Sequence, residues 1–489
     1  MGNSKVVQVT GGLVWTYAER LTAQLITIVV TIILARIIAP KEYGIISIVS
    51  VFITIANAFV VSGFGNSLIQ KKDADELDFS TIFYFSLIIS FGLYFLLFIS
   101  APYIAAWYDM PLLKIVIRVM GIRLPLAAVN SVQQAYISKK MQFKKFFFAT
   151  LGGTLVSAVV GISMAYMGFG IWALVAQYLS NVCIDTTVLW FTSGWHPKLL
   201  YSHDRMKGLF SYGWKIMIVG VMTTLYSNLR NLIIGKKYTS ADLAYSEKGE
   251  QFPSAIAGNI NSSITKVLFP VLSEMQNDMD QMKKAVRRSI KVGSYILFPI
   301  MVGFAMVSER FVITFMTEKW IGCVPYLQIM CLTYALQPLQ TSALQSIKAV
   351  GKSTLYLIID IVKKIVGIGV LAITVFVFDS VYIIVLGALI LEIFGVLVLF
   401  PINRKILSYR YSEQIMDIVP NIVVSFIMCV SLYLFDSILP SYGFMFLLIE
   451  VIFGGIIYMV CSMFLHNESF EYVIKQVKLI IRERLAKKI

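Results

Sequence analysis

The chain has 489 residues, 58% of them hydrophobic and 14% charged, with a net charge of +15 and a mean hydropathy of +0.78. A soluble domain carries about a quarter charged residues, so this composition excludes a water-soluble globular protein and describes a chain that crosses a bilayer many times. The positive charge does not require a nucleic-acid partner, because its distribution follows membrane topology.

A bilayer core takes about 20 apolar residues per helix. That ruler predicts an all-α protein with fourteen spans, near residues 12–38, 44–66, 80–107, 113–137, 146–167, 170–192, 209–235, 247–273, 290–316, 324–347, 354–378, 381–402, 415–436 and 443–465. The first apolar stretch begins at Gly12, carries Glu19 and Arg20, and runs past signal-peptide length, so it reads as a span. The cuts at "YMGFGIWAL" and "FVFDSVYII" have few turn residues, but each combined run is too long for one crossing.

Alternate loops are rich in lysine and arginine. Lys71, Lys72, Lys139, Lys140, Lys144, Lys145, Lys198, Arg205, Lys207, Lys283, Lys284, Arg287, Arg288, Lys352, Arg404, Lys405 and Arg410 fall on one side. Arg36, Lys41, Lys236, Lys237, Arg310 and Lys319 fall on the other. The positive-inside rule then puts both termini in the cytoplasm. The tail "FEYVIKQVKLIIRERLAKKI" places Phe470, Val473, Ile474, Val477 and Ile481 at helical spacing, with lysine and arginine opposite. It reads as an amphipathic helix on the inner leaflet, with partner binding the other reading.

Five scattered cysteines, no C-x-x-C pair and three histidines give no support for a disulfide framework, a metal site or a cofactor.

The fourth span poses a question. In "KIVIRVMGIRLPLAAVNSVQQAYI", Arg118 lies about 7 Å and Arg123 about 15 Å from the outer end at 1.5 Å per residue. A charge at mid-bilayer costs roughly 2.5–3.5 kcal/mol on insertion scales and usually faces a bundle interior or a wet pathway. Arg20, Lys215, Arg230 and Lys266 add cations within spans one, seven and eight. Gln24, Asn57, Gln133, Gln134, Asn228, Asn231, Asn259 and Asn261 add amides. Together they are the candidate cavity lining for an anionic, hydroxyl-rich substrate, since arginine offers forked donors that stay charged. Other readings stand open: Arg20 pairing with a carboxylate, and Lys266 snorkelling to the surface. Glu19, Asp360, Glu392 and Glu450 are candidate ion-coupling acids. For Asp360 the competing reading is an i,i+4 pair with Lys364, and for Glu392 and Glu450 a protonated structural acid.

An internal echo accompanies these residues. "ILARIIAPKEYGIIS" joins spans one and two, and "LIIGKKYTSADLAYS" joins spans seven and eight. "VQQAYISKKMQF" is echoed by "LQSIKAVGKSTL" at the end of spans four and ten. The chain reads as six plus six spans in parallel orientation, with two more at the end.

The segments "LARIIAPKEYG", "GFGNSLIQKKD", "AYISKKMQFKK", "GFGIWALVAQ", "LIIGKKYTSADLAYS" and "LFPVLSEM", in this order, resemble the polysaccharide-biosynthesis flippases of the multidrug/oligosaccharidyl-lipid/polysaccharide exporter superfamily. The likeness is greatest to the exporters of the O-antigen, colanic-acid and teichuronic-acid type. It implies two six-helix lobes facing a central cavity, residues 1–205 and 206–410, followed by spans thirteen and fourteen in 411–466 and a basic tail in 467–489. It further implies a bacterial inner-membrane protein without an enzymatic active site. Its substrate would be undecaprenyl pyrophosphate carrying a sugar repeat unit, flipped outward by alternating access. Its partners would be the bilayer and the polysaccharide polymerase and assembly machinery.

Two rivals are weaker. A multidrug antiporter of the same superfamily would favour intramembrane acids over cations. A membrane-embedded glycosyltransferase or polymerase could use Asp73-x-Asp75 to hold a metal–nucleotide complex, but no loop has room for a nucleotide fold.

Overall fold

The computed structural model describes residues 2–438 and 443–486, and the side chains of 19, 21–211, 213–438, 443–476, 478 and 479. Among the described residues every regular element is a helix. The chain divides into two compact units, Met1–Ala244 and Tyr245–Ile489.

The first unit holds α1 (Gly2–Ile37), α2 (Pro40–Val61), α3 (Phe64–Gln70), α4 (Glu76–Trp107), α5 (Leu112–Met120), α6 (Arg123–Lys139), α7 (Lys144–Tyr166), α8 (Ile171–Thr192) and α9 (His203–Lys237), with the first turn of α10 (Ser240–Glu274). The second holds the rest of α10, then α11 (Met279–Met306), α12 (Ser308–Phe311), α13 (Val324–Ala335), α14 (Gln337–Ala349), α15 (Ser353–Val377), α16 (Val381–Leu407), α17 (Tyr411–Met416), α18 (Val419–Ile438), α19 (Phe444–Phe464) and α20 (Glu468–Ala486). A helical segment lies at each of the fourteen expected span positions. Among the described residues, eight segments are long and apolar enough to cross a membrane by length and composition alone: 40–70, 76–107, 144–166, 213–237, 279–306, 381–407, 411–438 and 444–464.

The fourth span is not one helix. α5 stops at Met120 and α6 starts at Arg123. Pro125 has no N–H for the Gly121 carbonyl, and the Leu124 N–H takes that oxygen at 3.0 Å instead. The tenth span also breaks at a proline, between α13 and α14: Pro338 has no N–H for the Tyr334 carbonyl, and the Leu339 N–H bonds the Leu336 carbonyl at 3.2 Å. The breaks fall on spans four and ten, the fourth member of each six-span half expected from the sequence.

α9 packs along α2, α3 and α4, so span seven belongs by contact to the first unit, whose boundary lies after Ala244. A Cβ on Gly44 would sit 1.7 Å from the Ser240 carbonyl oxygen. The turn entering α2 and the turn entering α10 thus touch backbone to backbone, an approach that small residues allow in membrane helices. At the other end of α2, an aromatic core joins α3, α4 and α6: Phe64, Phe79, Phe83 and Trp195 are buried, and Tyr136 stacks on Trp195 at 6.0 Å.

In the second unit α11 is the central helix, packed on α13, α14 and α18, while α15 pairs with α16 and α18 with α19. The first turns of α20 pack on this unit, with Phe470 and Val473 against Tyr295 and Tyr458. The side chains of Val477 and Ile481, and of Arg20, lie outside the described residues.

Candidate functional site

Within the first unit the two arginines of the fourth span have different surroundings. Arg118 is half-buried on α5. Its Nε donates to the Phe98 carbonyl at 3.2 Å, and its guanidinium lies 4.1 Å from the Phe98 ring centroid. Pro102 lies inside α4, so its missing N–H frees the Phe98 carbonyl. Arg118 fills that vacancy and ties α5 to α4. Arg123, half-buried at the first position of α6, holds its guanidinium 5.3 Å from the ring of Tyr178 on α8, a cation–π distance.

Ten residues along α6, Gln133 is fully buried and neither amide atom has a hydrogen-bond partner among the described residues; Asn57 Oδ1 on α2 is in the same condition. Leaving a buried polar group unsatisfied costs about 1–3 kcal/mol, so these amides are not there for stability. Gln134 is exposed, Gln24, Arg230 and Asn231 are half-buried, and Lys215 is exposed on α9. Asn228 donates to the Thr224 carbonyl at 2.8 Å. Glu19 accepts from the Thr150 hydroxyl at 3.0 Å, linking α1 to α7.

One acid of this unit escaped the sequence reading. Asp185 on α8 accepts from Asn130 Nδ2 of α6 at 2.7 Å. The available signal was a lone carboxylate in span six, facing an amide in span four.

The second unit shows what its acids are bonded to. Lys363 Nζ lies 2.9 Å from Glu392 Oε2 and 2.8 Å from Gln340 Oε1, while Gln340 Nε2 donates to the Glu392 carbonyl at 2.8 Å. Asp360 pairs with Lys364 at 2.8 Å, one turn along α15. Glu450 on α19 pairs with Arg310 at 2.9 Å, and Asp436 contacts the same guanidinium. Arg310, read from the sequence as a loop residue, is only 4% exposed. Lys266 and Asn259 are exposed on α10, and Asn259 donates to the Ala255 carbonyl at 3.0 Å. Asn261 donates to Gln337 at 2.7 Å.

Between α11, α18, α19 and α20 lies a cavity of about 610 Å³. Its walls are apolar, with Ile296, Pro299, Ile300 and Phe304 from α11 and Gly454 and Met459 from α19; among the described residues Glu450 is the one charged lining residue.

The acidic loop before α4 is committed to structure. Asp75 accepts from the Asp78 N–H at 3.0 Å as the cap of α4, and that bond holds its carboxyl below the ordinary range. Asp78 is fully buried and accepts from Lys71 at 2.6 and 2.7 Å and from Arg205 at 3.2 Å. Among the described residues no three His, Cys, Asp or Glu side chains are grouped to hold a metal.

The family described as "Polysaccharide biosynthesis protein" matches residues 33–325. The chain belongs to that family. The teichuronic acid biosynthesis protein TuaB of Bacillus subtilis (strain 168) is 24% identical over 356 residues, covering 71% of this chain and 72% of that protein. The lipid II flippase MurJ, in an inward closed conformation, superimposes with a TM-score of 0.73 at 15% identity, over 93% of this chain and 99% of MurJ. An inward-facing multidrug resistance MATE transporter of the MOP superfamily gives a TM-score of 0.61 at 15% identity, over 80% of this chain and 98% of that one. This polysaccharide-biosynthesis family member thus has a multi-helix membrane fold like that of MurJ and the MATE transporter. The matched segment ends in α13, so α18, α19 and α20, which enclose most of the apolar cavity, lie beyond it.

Proposed function

We propose that the protein flips undecaprenyl-pyrophosphate-linked oligosaccharide repeat units from the cytoplasmic to the outer leaflet by alternating access, for surface polysaccharide export. The single observation that carries this reading is the apolar cavity of about 610 Å³ beside α18 and α19. A prenyl chain is matter of the kind such a cavity accepts, because burying each CH₂ from water is worth about 0.8 kcal/mol. Membrane-embedded arginines supply the complementary chemistry for the pyrophosphate and sugar.

Arg123 is the leading headgroup contact, with Arg20, Arg118, Lys215, Arg230 and Lys266 as further cations. Gln133 and Asn57 are amides for sugar hydroxyls, buried at a cost in this conformation and useful where a path opens. Both termini lie in the cytoplasm, and the polymerase and assembly machinery receive the product. The multidrug reading is disfavoured by the acids: Asp185 is bonded to Asn130, Glu392 to Lys363 and Glu450 to Arg310, which leaves them poorly placed for an organic cation.

The test is leaflet exchange in reconstituted liposomes carrying a fluorescent undecaprenyl-pyrophosphoryl sugar. Protein-dependent exchange upholds the proposal. Sugar transfer or polymerisation without exchange refutes it in favour of a membrane enzyme.

A further inference from the structure

We propose that the Lys291 end of the apolar cavity is a loading site for a prenyl diphosphate, where the diphosphate takes Lys291 from Glu468 and so unfastens α20. This inference rests on the reading of the protein as a carrier of a diphosphate-linked lipid.

α20 is both a wall of the cavity and a strap across its end. Phe470, Val473 and Ile474 line the cavity, while Lys475 and Lys478 are exposed. Two devices hold its first turn. Asn467 caps it, accepting from the Ser469 N–H at 2.9 Å, and donates to Asn421 at 2.9 Å; Asn421 in turn donates to Ser294 at 2.8 Å. The second device is ionic. Lys291 Nζ lies 2.6 Å from Glu468 Oε2 and 3.1 Å from Asp417 Oδ1.

These two acids are unequal partners. Asp417 is also bonded by Arg287 at 2.6 and 2.8 Å and by the Tyr409 hydroxyl at 2.6 Å, so it is satisfied without Lys291. The Glu468 side chain is 79% exposed, and an ion pair so open to water is weak. A diphosphate brings more charge and several acceptor oxygens to the same ammonium. It therefore displaces Glu468 while Asp417 keeps its other donors.

The position suits the remaining half of the ligand. Lys291 stands one turn along α11 from Tyr295, the first residue of that helix to line the cavity. A head bound at Lys291 has an apolar chamber directly beside it. Lys284 and Arg288, on the same helix as Lys291, form no ion pair among the described residues, and Arg288 rests 4.8 Å from the ring centroid of Tyr472 on α20. An apolar chamber with unneutralised cations at one end matches a ligand with a long apolar tail and a strongly anionic head. Departure of Glu468 removes the ionic fastening of α20, and the tail enters as Phe470, Val473 and Ile474 withdraw.

The experiment is hydrogen exchange on residues 468–476 of the full chain in phosphatidylcholine nanodiscs, with undecaprenyl diphosphate, undecaprenol or inorganic pyrophosphate as probe. Undecaprenyl diphosphate is expected to accelerate exchange about tenfold, a readable change in local opening, and neither fragment to reproduce it. Lys291→Gln should abolish the response. Glu468→Gln should exchange fast without ligand and bind the diphosphate lipid more tightly; it keeps Lys291 with Asp417 and serves if Lys291→Gln fails to fold. No acceleration in the wild type, an unchanged response in Lys291→Gln, or an equal response to pyrophosphate or undecaprenol would overturn the proposal. Leaflet exchange measured on the same preparation separates the two readings. An α20 that responds in a protein that moves no lipid upholds the strap and refutes the flippase; lipid movement with a silent α20 does the reverse.

Discussion

Glu42 reaches across from α2 to the start of α8, where its Oε1 accepts the Ile171 N–H at 3.1 Å and sits 2.4 Å from where a Cβ on Gly170 would be. Gly170 has φ 54° and ψ −126°, a backbone conformation open to glycine and costly for other residues. The relationship explains why "APKEYG" and "GFGIW" occur together although they lie well over a hundred residues apart. The acid supplies an acceptor to an otherwise orphaned helix N-terminus, and the glycine makes room for it.

Gly170→Ala therefore meets two penalties at once, strain at positive φ and collision with Glu42. The expected loss is about 1–3 kcal/mol, read as a lowered melting temperature in detergent. Glu42→Gln retains an acceptor oxygen and should cost less than Glu42→Ala. Equal melting of Gly170→Ala and wild type would show that the turn relaxes freely.

Arg118 and Pro102 should be energetically coupled through the Phe98 carbonyl. In the wild type, Arg118→Ala leaves that carbonyl without its donor. In a Pro102→Ala background residue 102 recovers its N–H and can bond the carbonyl within α4, so the same Arg118 change should cost less. The cycle should show coupling of about 1 kcal/mol. Strict additivity would mean that the arginine serves something other than the proline-freed carbonyl.

Arg310 and Glu450 have side chains only 5% and 2% exposed. Removing one member of such a pair strands the other, at about 3–5 kcal/mol. Arg310→Ala should be the more damaging change, because it leaves both Glu450 and Asp436 without their cation, whereas Glu450→Gln leaves Arg310 with Asp436. Chemical denaturation of the two variants gives the order directly; a milder Arg310→Ala would contradict the assignment.

Arg123→Ala should abolish leaflet exchange while the protein stays folded and inserted, and Arg123→Lys should retain part of the activity. Size-exclusion profile and melting temperature report the folding, and the liposome assay reports the transport. Undiminished exchange in Arg123→Ala would restrict this residue to its contact with Tyr178.

Asp75 predicts an acid-sensitive cap. The Asp78 N–H lowers its folded pKa below the ordinary 3.8. A lowered carboxylate contributes stability that is present above the unfolded value and is lost as pH falls through the folded one. The difference in melting temperature between wild type and Asp75→Ala should therefore shrink as pH is taken below that ordinary value. A difference that grows on acidification would reverse the assigned sign.

Hydropathy, the even spacing of apolar runs and the ordered motifs were enough to read an all-α membrane protein with a helical segment at each expected place, including the tight cuts before Ile171 and Val381. Those properties are local, since a bilayer demands one apolar helix per crossing whatever its neighbours are. The family, too, was legible in the order of short motifs. The i,i+4 pair of Asp360 with Lys364 needed only helical periodicity.

What the tertiary structure decided is how the charges are used. The sequence shows Arg118 in a span, but the Phe98 carbonyl it satisfies is twenty residues away and is freed by a proline in another helix. Arg310 reads as a loop cation until folding buries it between Glu450 and Asp436, which are more than a hundred residues on. Lys363, Asp185 and the strap at Lys291 were likewise invisible. A buried ion or amide takes its meaning from partners brought close by packing, and one-dimensional spacing carries no record of that distance.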